Sequence, residues 1–272
     1  MFFEEETMPY PWLTVACVPD GTPTDDLAAV AAHRLAAASL ATLGTAEYFL
    51  TNTVFRRASL LRPQHDTAAG GPILLLNLQA MRAAAHRTYW HRWQLWSQVV
   101  AGTRPAQPYW TFLARHREDP EAYQLAWAQQ NYLAQPRVAA MRTYNALPER
   151  AMDIPTSHLE AFQISGDSYA NYGALHAVPG NSFVAIDGTH LAPTSDEYAI
   201  ELTYLEIVNR QIAALQQSDN LVALYSRLAR PIAVNPVNPG GPSSASQTPE
   251  LRILTAIPGP DSVKRGEPQD AF

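Results

Sequence analysis

The sequence predicts a mainly α protein, α+β at most: a helical body, a small irregular β-containing insertion, and extended arms at both ends. Three observations lead there. Helix starts, stops and helical spacing run through residues 24–150 and return in 195–230. Gly and Pro cluster between Pro148 and Pro193, where the helical period fades, and Pro-rich stretches flank the whole. At 272 residues, with 47% hydrophobic and 16% charged composition, the chain is long and apolar enough to bury a sizeable core.

Residues 1–23 read as an N-terminal arm, because Pro9, Pro11, Pro19 and Pro23 punctuate a segment whose apolar anchors are Phe2, Phe3, Tyr10 and Trp12. Thr24 then suits an N-cap, with Asp25 and Asp26 where the helix dipole favours negative charge, and a helix is expected to about Leu43, stopped near Gly44. A second helical stretch spans roughly 46–61. Residues 62–72, with Pro63, Gly70, Gly71 and Pro72, read as a loop. The longest regular candidate runs from Ile73 to Ala101, with Arg82, His86, Tyr89, Trp93 and Trp96 on one face at spacings of four, three, four and three. Asp119 and Pro120 open a helix to about Ala134, and 138–146 forms another, which completes a body over 24–150.

Residues 151–194 read as the irregular insertion, with a possible hairpin of 182–186 and 189–191 about Asp187-Gly188. Thr194 and Glu197 have capping-box spacing ahead of a helix to about Gln217, and Ser218 caps a further helix that Pro231 ends. Residues 231–272, with eight Pro, form an extended C-terminal arm in which only Leu251–Ile257 reads as an apolar strand. Such a strand wants a sheet edge or groove to dock against.

Charge is sorted along the chain. Residues 1–26 hold six acids and no base, residues 27–150 thirteen Arg against six acids, and residues 151–272 thirteen acids against six bases. The basic middle also holds five of the six Trp. Arg56, Arg57, Arg82, Arg87 and Arg92, interleaved with Trp90 and Trp93, have the composition that single-stranded nucleic acid or an acidic partner would contact, and Arg115 and Arg117 could extend the patch. The competing reading places the Trp rings in the core beneath Arg stems.

Metal and catalytic signatures are weak. His86 and His91 are five residues apart and so do not share a helix face, and no metal or other cofactor is expected. His158, His176 and His190 lie among Asp153, Asp167 and Asp187 without a recognised ligand spacing, and Gly166-Asp167-Ser168 with Asp187-Gly188-Thr189-His190 supplies triad ingredients in one region, without a nucleophile-elbow motif. A lone Cys17 excludes an internal disulfide. Glu4, Glu5 and Glu6 stand where a secretory signal would be basic, and no apolar run is long enough to span a bilayer, so a virion or cytoplasmic location is expected.

The leading expectation is a non-enzymatic assembly subunit, most concretely a capsid or virion-associated protein. Its arm residues Phe2, Phe3, Trp12, Leu251, Ile253, Leu254 and Ile257 would engage other protein chains. A nucleic-acid-contacting protein using the Arg/Trp middle is the alternative, and a hydrolase-like enzyme using residues 153–190 the second.

Overall fold

The β-branched and aromatic run Trp12–Val18 forms a strand, β1, in the computed structural model, which describes residues 11–52, 57–195 and 197–229. A 3₁₀ turn at Thr24–Asp26 leads into helix α1 (Leu27–Ala37), which Ser39 ends at φ 61°. Strands β2 (Leu40–Thr45), β3 (Phe49–Leu50), β4 (Thr67–Ala68) and β5 (Gly70–Pro72) follow. Five helices come next: α2 (Leu78–Val99), α3 (Tyr109–Glu118), α4 (Leu125–Leu133), α5 (Pro136–Asn145) and α6 (Leu159–Ile164). The described chain closes with α7 (Gly166–His176), β6 (Ser182–Val184), β7 (His190–Leu191), α8 (Tyr198–Ala214) and β8 (Asn220–Leu228).

A mainly α fold is therefore incorrect. The structure is about 50% helical and 18% strand, and a mixed six-stranded sheet organises it. The order is β2-β8-β1-β6-β7, with β5 also on β8. Only β1 and β6 pair in parallel, Val15 opposite Phe183. Asn220–Ser226, the first seven of the nine residues of β8, lie antiparallel to β1 along one side. On the other side the strand pairs with β5 over Asn220–Val222 and with β2 over Leu224–Leu228.

Alternation along the central strands sorts two cores. Val15, Cys17, Leu221, Ala223 and Phe183 face the larger helical layer and share a core with Met81 and Trp96 of α2, Tyr169 and Tyr172 of α7, and Leu205 and Val208 of α8. Ala16, Val18, Val184, Val222 and Leu224 face α1 and pack on Leu27, Ala31 and Leu35. Full burial of Leu27 and Leu35 contributes about 1.5–3 kcal/mol each. Sequence reading missed the sheet because its central strands are buried on both faces: Leu221-Val222-Ala223-Leu224 shows no polar alternation, and Leu and Ala imitate a helix.

Several element corrections share that cause. The helix expected over 25–43 stops at Ala37 and yields to β2, and the stretch expected as a helix over 46–61 holds β3 and a 3₁₀ turn at Arg57–Ser59. The loop expected at 62–72 contains β4 and β5, and the helix expected after Ser218 is β8. Helix α3 was not anticipated, and α4 starts six residues after Asp119. The 151–194 segment contains α6 and α7 in addition to the expected hairpin, which forms as β6 and β7 about Gly188 at φ 90°.

Candidate functional site

Helix α2 begins where the Asn77 side chain accepts a hydrogen bond from the Ala80 amide at 3.0 Å, and it carries the Arg/Trp stripe singled out above. That stripe faces inward. Arg82 is half-buried and donates from Nη2 to Asn209 Oδ1 at 3.0 Å, which ties α2 to α8. Trp93 donates its indole N–H to the Phe162 carbonyl at 3.1 Å, and Trp96 stacks on Phe162 with ring centroids 5.1 Å apart. Trp90, half-buried, stacks on Trp93 at 5.7 Å.

These rings approach α7 closely because two glycines leave room. A β-carbon on Gly173 would lie 2.2 Å from Tyr89 Cγ, and one on Gly166 would lie 2.6 Å from Trp90 Cζ3 and 2.8 Å from Trp93 Cε3. The pair is seven residues apart, so both glycines lie on one face of α7 and let α2 settle its aromatic rings on the bare backbone. Read from sequence, those glycines look like helix breakers. The recoverable signal was Tyr169, Tyr172 and His176, spaced three and four.

Beneath this seam lies a polar and aromatic cluster that sequence reading did not assemble. His158, in a 3₁₀ turn before α6, pairs through Nδ1 with the Tyr169 hydroxyl at 2.8 Å, and burial pushes its imidazole pKa down to about 3. Tyr89 packs on Tyr169 at 4.9 Å, and the Arg92 guanidinium lies 5.0 Å over the Tyr89 ring, with its Nε lacking a hydrogen-bond partner. On the α8 side, Glu201 approaches His176 at 3.6 Å. Burial lowers the His176 pKa despite that carboxylate, and burial followed by the Glu201 charge raises that of Tyr172. Burial disfavours the charged form of both imidazoles, and the cluster joins α2, α7 and α8 as a packed seam.

The remaining candidates are dispersed. Arg87 is exposed and, with His86, Trp90, His91 and Asp167, lines an open cleft of about 240 Å³ beside the first turn of α7. Arg57 lies in the 3₁₀ turn before β4 and is half-buried. Trp12 opens β1, half-buried and opposite Ser226. Phe2, Phe3, Arg56, Leu251, Ile253, Leu254 and Ile257 lie outside the described residues.

The triad ingredients stay apart in their hydrogen bonding. The Ser168 hydroxyl accepts from Ser165, the N-cap of α7, Asp187 accepts from the Thr189 amide, and His190 Nε2 has no partner. Cys17 is buried, and burial raises its thiol pKa to about 12. Among the described residues no group of three His, Cys, Asp or Glu side chains could hold a metal ion, and no helix is long and apolar enough to cross a membrane.

Arginine chemistry in the described body is largely neutral. Arg34 donates to the carbonyls of Ala185 and Ile186, and Arg137 to Thr103 and Gln163. Among the described residues of the basic middle, only Arg150 pairs with a carboxylate, that of Asp153. Comparison with family models, with curated proteins and with solved structures gives no match.

Proposed function

We propose that this chain is a structural subunit of a larger protein assembly, a capsid or virion-associated component being its most concrete form, and that its terminal segments engage neighbouring chains. One observation carries the reading. Strands β1 and β8 are antiparallel neighbours with Trp12 opposite Ser226, so the segments before Pro11 and after Ala229 both leave from one pole of the sheet. Edge strand β2 begins at that pole, with Leu40 opposite Leu228. Two segments that depart side by side from a rigid sheet can act together on one neighbour.

Charge supports the same reading. The basic middle has only one carboxylate-paired arginine among its described residues, while residues 1–10 carry Glu4, Glu5 and Glu6 with no base, and residues 230–272 balance four acids against four bases. An acidic N-terminal segment and a basic middle of this kind suit complementary contact between copies. Nucleic-acid contact has less behind it, because Trp93 and Trp96 are occupied by packing on Phe162. Deleting residues 231–272 tests the proposal: light scattering should show the full chain as an oligomer and the truncated chain as a folded monomer. A full-length monomer at every concentration, or an unchanged oligomer after truncation, overturns it.

A further inference from the structure

We infer that residues Leu251–Ile257 add as a strand to the open edge of β2 in a neighbouring copy of the chain, an inference that rests on the assembly reading above. Among the described residues, β2 has a strand neighbour on one side only, β8, and so presents a row of backbone donors and acceptors outward. Its surroundings are apolar for an exposed site: Leu43 in β2 is 51% exposed, and Leu228, opposite Leu40, is 52% exposed. Leu43 also sits at the register shift between Thr42 and Gly44, where the edge bends.

The segment Leu-Arg-Ile-Leu-Thr-Ala-Ile matches that edge in length and chemistry. Seven residues face the six of β2, and every position except Arg252 and Thr255 is apolar. Backbone pairing at a sheet edge supplies affinity, and the apolar side chains cover the leucines beside it.

The spacer decides which copy is engaged. The described chain leaves β8 beside Leu40, where the Ala229 amide donates to the Ser39 carbonyl at 2.9 Å. Reaching its own β2 edge means crossing two strand spacings, roughly 10 Å, which about three extended residues would span. Residues 229–250 instead provide a spacer with Pro231, Pro236, Pro239, Pro242 and Pro249. At about 3.1 Å per residue in a Pro-rich extended chain its reach is roughly 70 Å, a subunit-scale distance. A spacer far longer than its own edge requires also brings the edge of a neighbouring copy within reach, and the assembly reading assigns the strand to that copy.

Cross-linking between two differently marked full-length chains tests this. One chain carries Thr42→Cys, the other Thr255→Cys, and buried Cys17 stays unreactive. Mixed together with a short bismaleimide, they should yield a covalent pair holding one of each, while either chain alone yields none. Leu254→Asp in the full chain should weaken association at least about tenfold with an unchanged Tm. A doubly marked chain that links only within itself places the strand on its own edge and overturns the inference. An oligomer that forms without the mixed cross-link also overturns it while leaving the assembly reading standing. A full-length chain that never associates removes the assembly reading itself.

Discussion

Tyr89 lying against Gly173 turns a missing side chain into a structural requirement. Gly173→Ala would drive a methyl group into the ring with only helix backbone behind it, so we expect a loss of about 1–3 kcal/mol despite the better helix propensity of alanine. Urea denaturation should show a lower midpoint at an unchanged slope. His158 makes a second prediction at this scale. Its folded-state pKa is depressed to about 3 from an unfolded value near 6.5, so the unfolded chain binds the extra proton first. Stability from this group is fully present above pH 6.5 and is lost progressively as pH falls toward 3. His176 and His190, also lowered by burial, act in the same direction. Thermal melts should show Tm falling between pH 7 and 5, and His158→Gln should make that fall shallower.

At the scale of elements, the sheet is fastened by a row of hydroxyl groups as well as by its ladder. Thr14 Oγ1 on β1 bonds Ser182 Oγ on β6 at 2.7 Å and Ser226 Oγ on β8 at 2.6 Å, and all three residues are fully buried. Thr14→Val preserves shape but leaves two buried hydroxyls without their shared partner, at an expected cost of about 1–3 kcal/mol. Thr14→Ser, which keeps the bridge, should lose clearly less in the same urea titration. Legibility in the sequence followed burial. Helix α2 and the β6–β7 hairpin were readable, one because its amphipathic spacing is long and the other because Asp187-Gly188 is a local turn signal. Strands β1 and β8 were not, because sequence shows a strand through alternation and these are buried on both faces. Helix α7 was hidden by the same glycines that let α2 reach it. Of the candidate site, Arg87 and Trp90 were found together, whereas the pairing of His158 with Tyr169 depends on contacts no local pattern encodes.

For the molecule as a whole, the described residues of both hydrophobic cores reach no later than Leu224. The chain lacking residues 231–272 should therefore melt within a few degrees of the full-length monomeric state while losing its ability to associate. That pairing of outcomes separates an interface segment from a core segment. The sorted charge belongs to this scale too: the described arginines bond mostly to uncharged acceptors, so on the assembly proposal the charge is free to act between copies. A further consequence follows from where the neighbours of β1 come from. Strand β1, early among the described residues, waits for residues 182–184 on one flank and 220–226 on the other. Its partners are thus the last parts of the body to be synthesised. Until they emerge, Leu13, Val15, Cys17 and Val18 are bare, and the nascent chain cannot close its sheet. The sheet therefore cannot close before β8 has emerged, and until then a strand that sits at the centre of the folded sheet stays unpaired.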